Sequence, residues 1–422
     1  MKKAFIKLSC LSLLLTGACL AEFQVGDGAL QLDTSLTGVY DSNLRASVNN
    51  IEDYYISFQP TLRYRRLGAR FTTEASAGVR IRRYLDTTTS NSEDADLRFD
   101  WNMKREEGHT TSATLGLGYF EKTEANLDIN DLVRTKNFSA NVSGEVLVAQ
   151  RNLLSAGLSY NNSDRNLGSD QKRSNARLGY TYLGLSSGSE LNFTYSHQES
   201  KSKQNSADIH TLDQKGDSVS ATLSKSLYDQ LRGGLTYGYR WLDRGEQEAL
   251  LGLDNTKGAF FGVNLDGPFL PRQYFPKTTG NFHVGYERAE TPGLNDRSNE
   301  RLVGQISISW AAREHTTISV YASRSQDLSI NDNTVVNETE GITLRQAIGA
   351  FVDADVGLSH TNADFVNVGR QDNRYETHAG ATYRINRTWS SGLTYRYLKS
   401  DSSNAVANYT RHVVSGTVNY AF

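Results

Sequence analysis

Tyr54-Tyr55-Ile56-Ser57-Phe58-Gln59-Pro60-Thr61-Leu62-Arg63-Tyr64-Arg65 is the stretch that decides the fold. Tyr54, Ile56, Phe58, Leu62 and Tyr64 fall on one parity, and Ser57, Gln59, Thr61, Arg63 and Arg65 on the other. Successive side chains of a strand point to opposite faces, so this segment has one apolar wall and one polar wall.

The alternation recurs in both directions. Leu30, Leu32, Leu36 and Tyr40 oppose Gln31, Asp33, Ser35 and Thr37. Ala95, Leu97, Phe99 and Trp101 oppose Asp96, Arg98, Asp100 and Asn102, and Ile306, Ile308 and Trp310 oppose Gln305, Ser307 and Ser309. The pattern repeats while the residues do not, which excludes a β-helix or propeller built on a motif. About twenty such segments can be counted, each close to the 9–11 residues of a tilted transmembrane strand.

Connection lengths alternate too. Short ones fall near Leu67-Gly68, Gln150-Arg151, Arg313-Glu314 and Asn386-Arg387, and longer ones near 42–52, 123–133, 199–214, 243–257, 325–338 and 399–408. These features predict an all-β chain: a single-chain antiparallel transmembrane β-barrel of about 20 strands (about 18 as the alternative) with short periplasmic turns and longer extracellular loops. Closure follows from physics, because an open sheet edge in lipid leaves its backbone N–H and C=O groups unpaired. Pro60 lies inside a strand, so a bulge or a locally irregular pair is expected there.

Composition narrows the function classes. The chain has 422 residues, with Lys+Arg 45 against Asp+Glu 47, a net charge of −2 and a mean hydropathy of −0.52. That balance argues against a nucleic-acid partner. Two cysteines exclude a disulfide scaffold or a four-cysteine zinc site. No internal run reaches the roughly 18 apolar residues of a spanning helix.

The first residues read as an address. Lys2, Lys3 and Lys7 precede an apolar core, Leu8–Leu15, and small residues up to Ala21. This is the pattern of a cleaved secretory signal peptide. The expected organisation is therefore a signal peptide at 1–21, a short segment at 22–28 and the barrel at 29–422. Cys10 and Cys19 would leave with the signal. Lipidation of Cys19 is the competing reading; Thr16-Gly17-Ala18 fits a lipobox, but the usual upstream leucine is missing.

The chain ends Val418-Asn419-Tyr420-Ala421-Phe422. Tyr420 and Phe422 resemble the signal that bacterial outer-membrane barrels present to their insertion machinery. Gly38-Val39-Tyr40-Asp41-Ser42-Asn43-Leu44 resembles the opening of the putative β-barrel porin 2 families, some of whose members are encoded with exopolysaccharide systems. The resemblance implies an outer-membrane barrel with a pore and names no substrate. Asp41 and Asn43 themselves read equally well as a solvated strand end.

The polar parity would line a lumen. Arg63, Arg65, Arg70, Arg80, Arg82 and Arg98 form an expected basic wall; Asp266, Asp353, Asp355 and Glu376 form an expected acidic one. Opposed walls would bias which solutes pass; local salt-bridge ladders would cancel that field. Tyr55, Tyr84, Phe120 and Tyr321 have inward parity, whereas Tyr40, Trp101, Tyr119, Trp241, Trp310 and Trp389 point outward near strand ends, as interface girdles do. The segment before the first strand is too short to be a plug. The loops at 199–214, 243–257 and 325–338 are the expected constrictions.

Motifs for chemistry do not hold up. Leu115-Gly116-Leu117-Gly118 sits inside a strand, so it is no phosphate loop. The histidines lack HExxH spacing. Ser196 and His197 are adjacent and must face opposite sides. Asp353 and Asp355 would stand about 7 Å apart, with nothing further to support acid–base work. Asp332, between Asn331 and Asn333, reads as a polar loop. The expectation is therefore no enzyme, no cofactor and no metal. It is instead a passive porin-like channel in the Gram-negative outer membrane, for small polar and anionic solutes, with lipids and the insertion machinery as partners. Assistance to exopolysaccharide export is the alternative, and a structural surface barrel the third reading.

Overall fold

The structure, a computed structural model, describes residues 23–421 except 107–109, 185–187, 205–210, 229, 245–254, 269, 271–274, 276, 292–296, 329–333 and 366–368. Residues 1–22, with Cys10 and Cys19, and also Phe422 and Asp332, lie outside the described residues.

After a short β1 (Phe23–Val25), the chain forms β2 (Gly28–Asp41), β3 (Asp53–Leu67), β4 (Phe71–Tyr84), β5 (Ser92–Met103), β6 (Thr111–Asn126) and β7 (Asp131–Ala149). Next come β8 (Asn152–Arg165), β9 (Ser169–Leu183), β10 (Ser189–Gln204), β11 (Thr211–Tyr228), β12 (Leu231–Arg244), β13 (Thr256–Gly267) and β14 (Thr278–Thr291). The circuit ends with β15 (Arg297–Arg313), β16 (Thr316–Leu328), β17 (Thr334–Ile348), β18 (Val352–Phe365), β19 (Arg370–Arg384), β20 (Trp389–Ser402) and β21 (Tyr409–Ala421). Each strand from β2 onward pairs antiparallel with the next, and β21 returns to β2, with Asp33–Asp41 against Ala421–Val413. The result is a closed 20-strand barrel with one extra strand.

That extra strand explains the first segment. β2 runs below the end of β21, which stops opposite Asp33, and β1 pairs Phe23 with Leu30 on the edge left over. The turn between them needs a left-handed residue, supplied by Gly26 at φ 63°.

Parity is set by lipid. Leu62, Leu97, Leu158, Leu178 and Leu393 are each at least 45% exposed, and all lie on the outer wall. Aromatic pairs mark both rims. Phe71–Trp101 at 5.8 Å and Trp389–Tyr420 at 4.9 Å lie at the turn end; Tyr40–Tyr54 and Tyr239–Trp241, both at 4.8 Å, lie at the loop end. At Pro60 the β3–β4 ladder passes from Phe58↔Ile81 to Thr61↔Gly78 with a gap and no change of register. The irregular pair is present and the bulge is not. Register shifts occur instead beside three turns, at Ser226/Tyr228, Ala311/Arg313 and Leu147/Ala149.

Candidate functional site

The inward residues of β2–β5 form charge ladders. Arg63 pairs with Asp33 at 2.9 Å, Arg65 with Glu74 at 2.9 Å, and Arg98 with Asp100. Arg80 donates to Gln59 at 2.9 Å, and Arg82 lies 3.6 Å from Asp94 while also reaching the Thr123 carbonyl. On the other side Asp353 meets Arg384 at 2.5 Å, Asp355 meets His378 at 3.3 Å and Glu376 meets Arg396 at 2.7 Å. Asp266 stands opposite Arg232, which itself bonds Glu190. Each expected wall thus carries its own counterions, the local pairing that the sequence also allowed. Arg70 is not on the wall. It lies in the turn before β4, its guanidinium 5.6 Å above the Phe71 ring.

The loop end holds most of the buried residues. At the β2–β21 seam Asp41 is 0% exposed and receives Arg411 Nη2 at 2.5 Å and Nε at 2.9 Å. Asn43, also 0% exposed, donates to the Ser47 carbonyl and to Asn50 Oδ1, both at 2.7 Å, while its own Oδ1 accepts from Ser47 N at 3.1 Å. The reading of Asp41 and Asn43 as a solvated strand end is therefore overturned. They knot the first loop onto the seam, with Leu44 and Ala46 buried beneath it. Asp53 ties the next loop by accepting from the backbone N–H groups of Thr87 at 2.7 Å and Asp86 at 3.2 Å.

The β6–β7 hairpin crosses the mouth. Its tip reaches β19, with the six strands β20, β21 and β2–β5 between them along the wall. Arg370 donates to the carbonyls of Asp128 at 2.9 Å and Leu127 at 3.3 Å, and Arg374 lies 3.4 Å from the Asp128 carboxylate. Both arginines converge on Asp372, 0% exposed, at 2.6 and 2.8 Å, and Ser402 donates to the same carboxylate at 2.6 Å. Asn130 donates to the Val406 carbonyl at 3.1 Å, and Arg45 holds Asp131 at 3.4 Å. The hairpin closes one sector of the mouth over buried Tyr84, Val133, Ala407 and Tyr409. The constriction among the described residues is 123–133; of the loops expected to constrict the pore, the tips 205–210, 245–254 and 329–333 lie outside the described residues, and their flanks continue the strands. Asp128 and Asn130, turn-forming residues inside a polar run, were the available signal.

Along the remaining sector, β8–β18, the side-chain pairs described run between nearby positions of the wall, as Arg232 with Glu190 and Arg240 with Glu287 do. Its aromatics are structural. Tyr321 covers Gly341, where a Cβ would come within 2.5 Å of the ring, and Phe260, an inward aromatic missed in the sequence, covers Gly238 at 2.3 Å. Ser196 faces inward to Ser218 at 2.7 Å, while His197 faces outward to Asp217 at 2.9 Å, so they form no dyad. Among the described residues no group of three or more His, Cys, Asp or Glu could hold a metal ion.

These features define an outer-membrane β-barrel. Residues 273–422 match the family described as putative beta-barrel porin 2. The matched part begins ahead of β14, so Gly38–Leu44 lies outside it. No curated protein matches the sequence. Among solved structures the chain is similar to the ferric citrate transporter FecA, with TM-score 0.53, 8% identity, and 93% of this chain and 78% of that one covered. It is also similar to the ferric enterobactin receptor PfeA of Pseudomonas aeruginosa (0.53, 8%, 93% and 80%) and to the siderophore receptor PiuA of Acinetobacter baumannii (0.51, 9%, 95% and 82%). At such identities the likeness is one of fold.

Proposed function

We propose that the chain is a passive channel for small polar solutes, with a preference for anions, and that solutes pass through the β8–β18 sector. The observation that carries this reading is the closed barrel with a polar inner wall, whose one described crossing of the mouth, the β6–β7 hairpin, is tied to β19 and leaves the β8–β18 wall to its side. A barrel of this strand number is wide enough for an aqueous path unless it is filled. Export of a polysaccharide draws less support, because Tyr84 is buried under the mouth and Tyr321 and Phe260 are occupied against glycines. Planar-bilayer recording of the refolded mature chain tests the proposal. A steady, anion-preferring current is expected; a correctly folded barrel with no current would shift the reading to a structural surface role.

A further inference from the structure

The β7–β11 part of the lumen differs from the rest. On β9, Arg173 and Arg177 share the inward parity, opposite to Leu178 and Tyr180, which are exposed on the lipid face. Arg173 is flanked by Asn161 on β8 and Ser200 on β10, and Arg177 by Gly157 and Ser196. Asn175, between them, is flanked by Ser159 and Gln198. No carboxylate occupies any of these positions. Among the described residues neither arginine has a hydrogen bond or ion pair, whereas Arg63, Arg65, Arg232, Arg240 and Arg396 each hold a carboxylate.

We infer that this wall is a weak binding track for polyhydroxylated anions, of the class of sugar acids, along the channel; this deepens the passive-channel reading and rests on it. The chemistry divides between the two residue types. A guanidinium without a counterion presents a planar fork that fits a carboxylate with two hydrogen bonds. The surrounding hydroxyls and amides both donate and accept, as a polyol requires. An inorganic anion would need only the charge. Four residues of strand separate the arginines by about 13 Å, so a carboxylate can pass from one to the other while its hydroxyls exchange partners with Asn175, Ser159 and Gln198. The dense charge pairs of β2–β5 offer no such vacant donors.

The test uses the refolded mature chain in three steps. Potassium chloride conductance in planar bilayers first reads the channel itself. Liposome swelling then compares glucuronate with glucose for the wild type, R173Q/R177Q and R173K/R177K. The expected result is at least a threefold lower rate for glucuronate in R173Q/R177Q, with glucose unchanged, and partial recovery in R173K/R177K. Equal losses for both solutes, or no loss, overturn the inference while leaving the channel reading in place. Should the wild type not conduct, the channel reading fails alone. Saturation-transfer NMR of glucuronate on the folded barrel in detergent then decides the site, which is overturned if R173Q/R177Q gives the wild-type signal. Heat-modifiable gel mobility confirms that each variant is folded.

Discussion

Asp41 shows how much one carboxylate can carry in a barrel. It is fully buried at the one junction where strands remote in sequence must meet, and it serves Arg411 on β21 and the backbone N–H of Asn43 together. Removing one partner of a buried pair leaves an uncompensated charge, typically a cost of about 3–5 kcal/mol. Asp41→Ala is expected to destabilise the barrel by that order, read by urea unfolding in phospholipid vesicles. Lys122→Gln supplies the contrast, because Lys122 and Glu124 are 46% and 54% exposed at 2.7 Å, and a surface pair is worth roughly 0–1 kcal/mol. Coincident unfolding curves for Asp41→Ala and the wild type would refute the structural role of the seam. The sequence singled out Asp41 and Asn43 through Gly38–Leu44 but could not bury them, since Arg411 lies 370 residues away.

At the scale of elements, the β6–β7 hairpin is where sequence reading stopped short. Strands in lipid were legible because apolar and polar residues alternate, as in Ala95–Asn102. Above the lipid both faces become polar, so Thr123, Glu124 and the residues after them lose the contrast and read as a loop, although the ladder continues to Asn126↔Asp131. Its target on β19 left no local trace either. The attachment suggests a direct trial. Asp128 meets Arg374 and offers its carbonyl to Arg370, so R370A/R374A removes the anchor at one stroke. Asp372 would then keep Ser402 alone as partner, and D372N in the same background removes that buried charge. Release of the hairpin is expected to raise single-channel conductance by about half or more and to increase current noise, since lid-like opening and closing on the microsecond-to-second scale is slow enough to be recorded. Unchanged conductance in a folded triple variant would mean that the hairpin does not narrow the path.

For the whole molecule the net charge of −2 conceals a division of labour. The ladders on β2–β5 and β18–β20 act as short dipoles, whose fields fade within a few ångströms of the wall. Arg173 and Arg177, without a partner among the described residues, are monopoles on the β8–β18 wall, and their reach is set by the ionic atmosphere. Screening length falls from about 10 Å at 0.1 M salt to about 3 Å at 1 M. Selectivity that arises from these two arginines must therefore weaken with salt, whereas selectivity from pore size would not. Reversal potentials in potassium chloride gradients are expected to show an anion preference of several-fold near 0.1 M that approaches unity near 1 M. The same measurement on R173Q/R177Q is expected to give a nearly salt-independent ratio close to one. A cation preference in the wild type, or a ratio indifferent to salt, would place the controlling charges elsewhere on the wall.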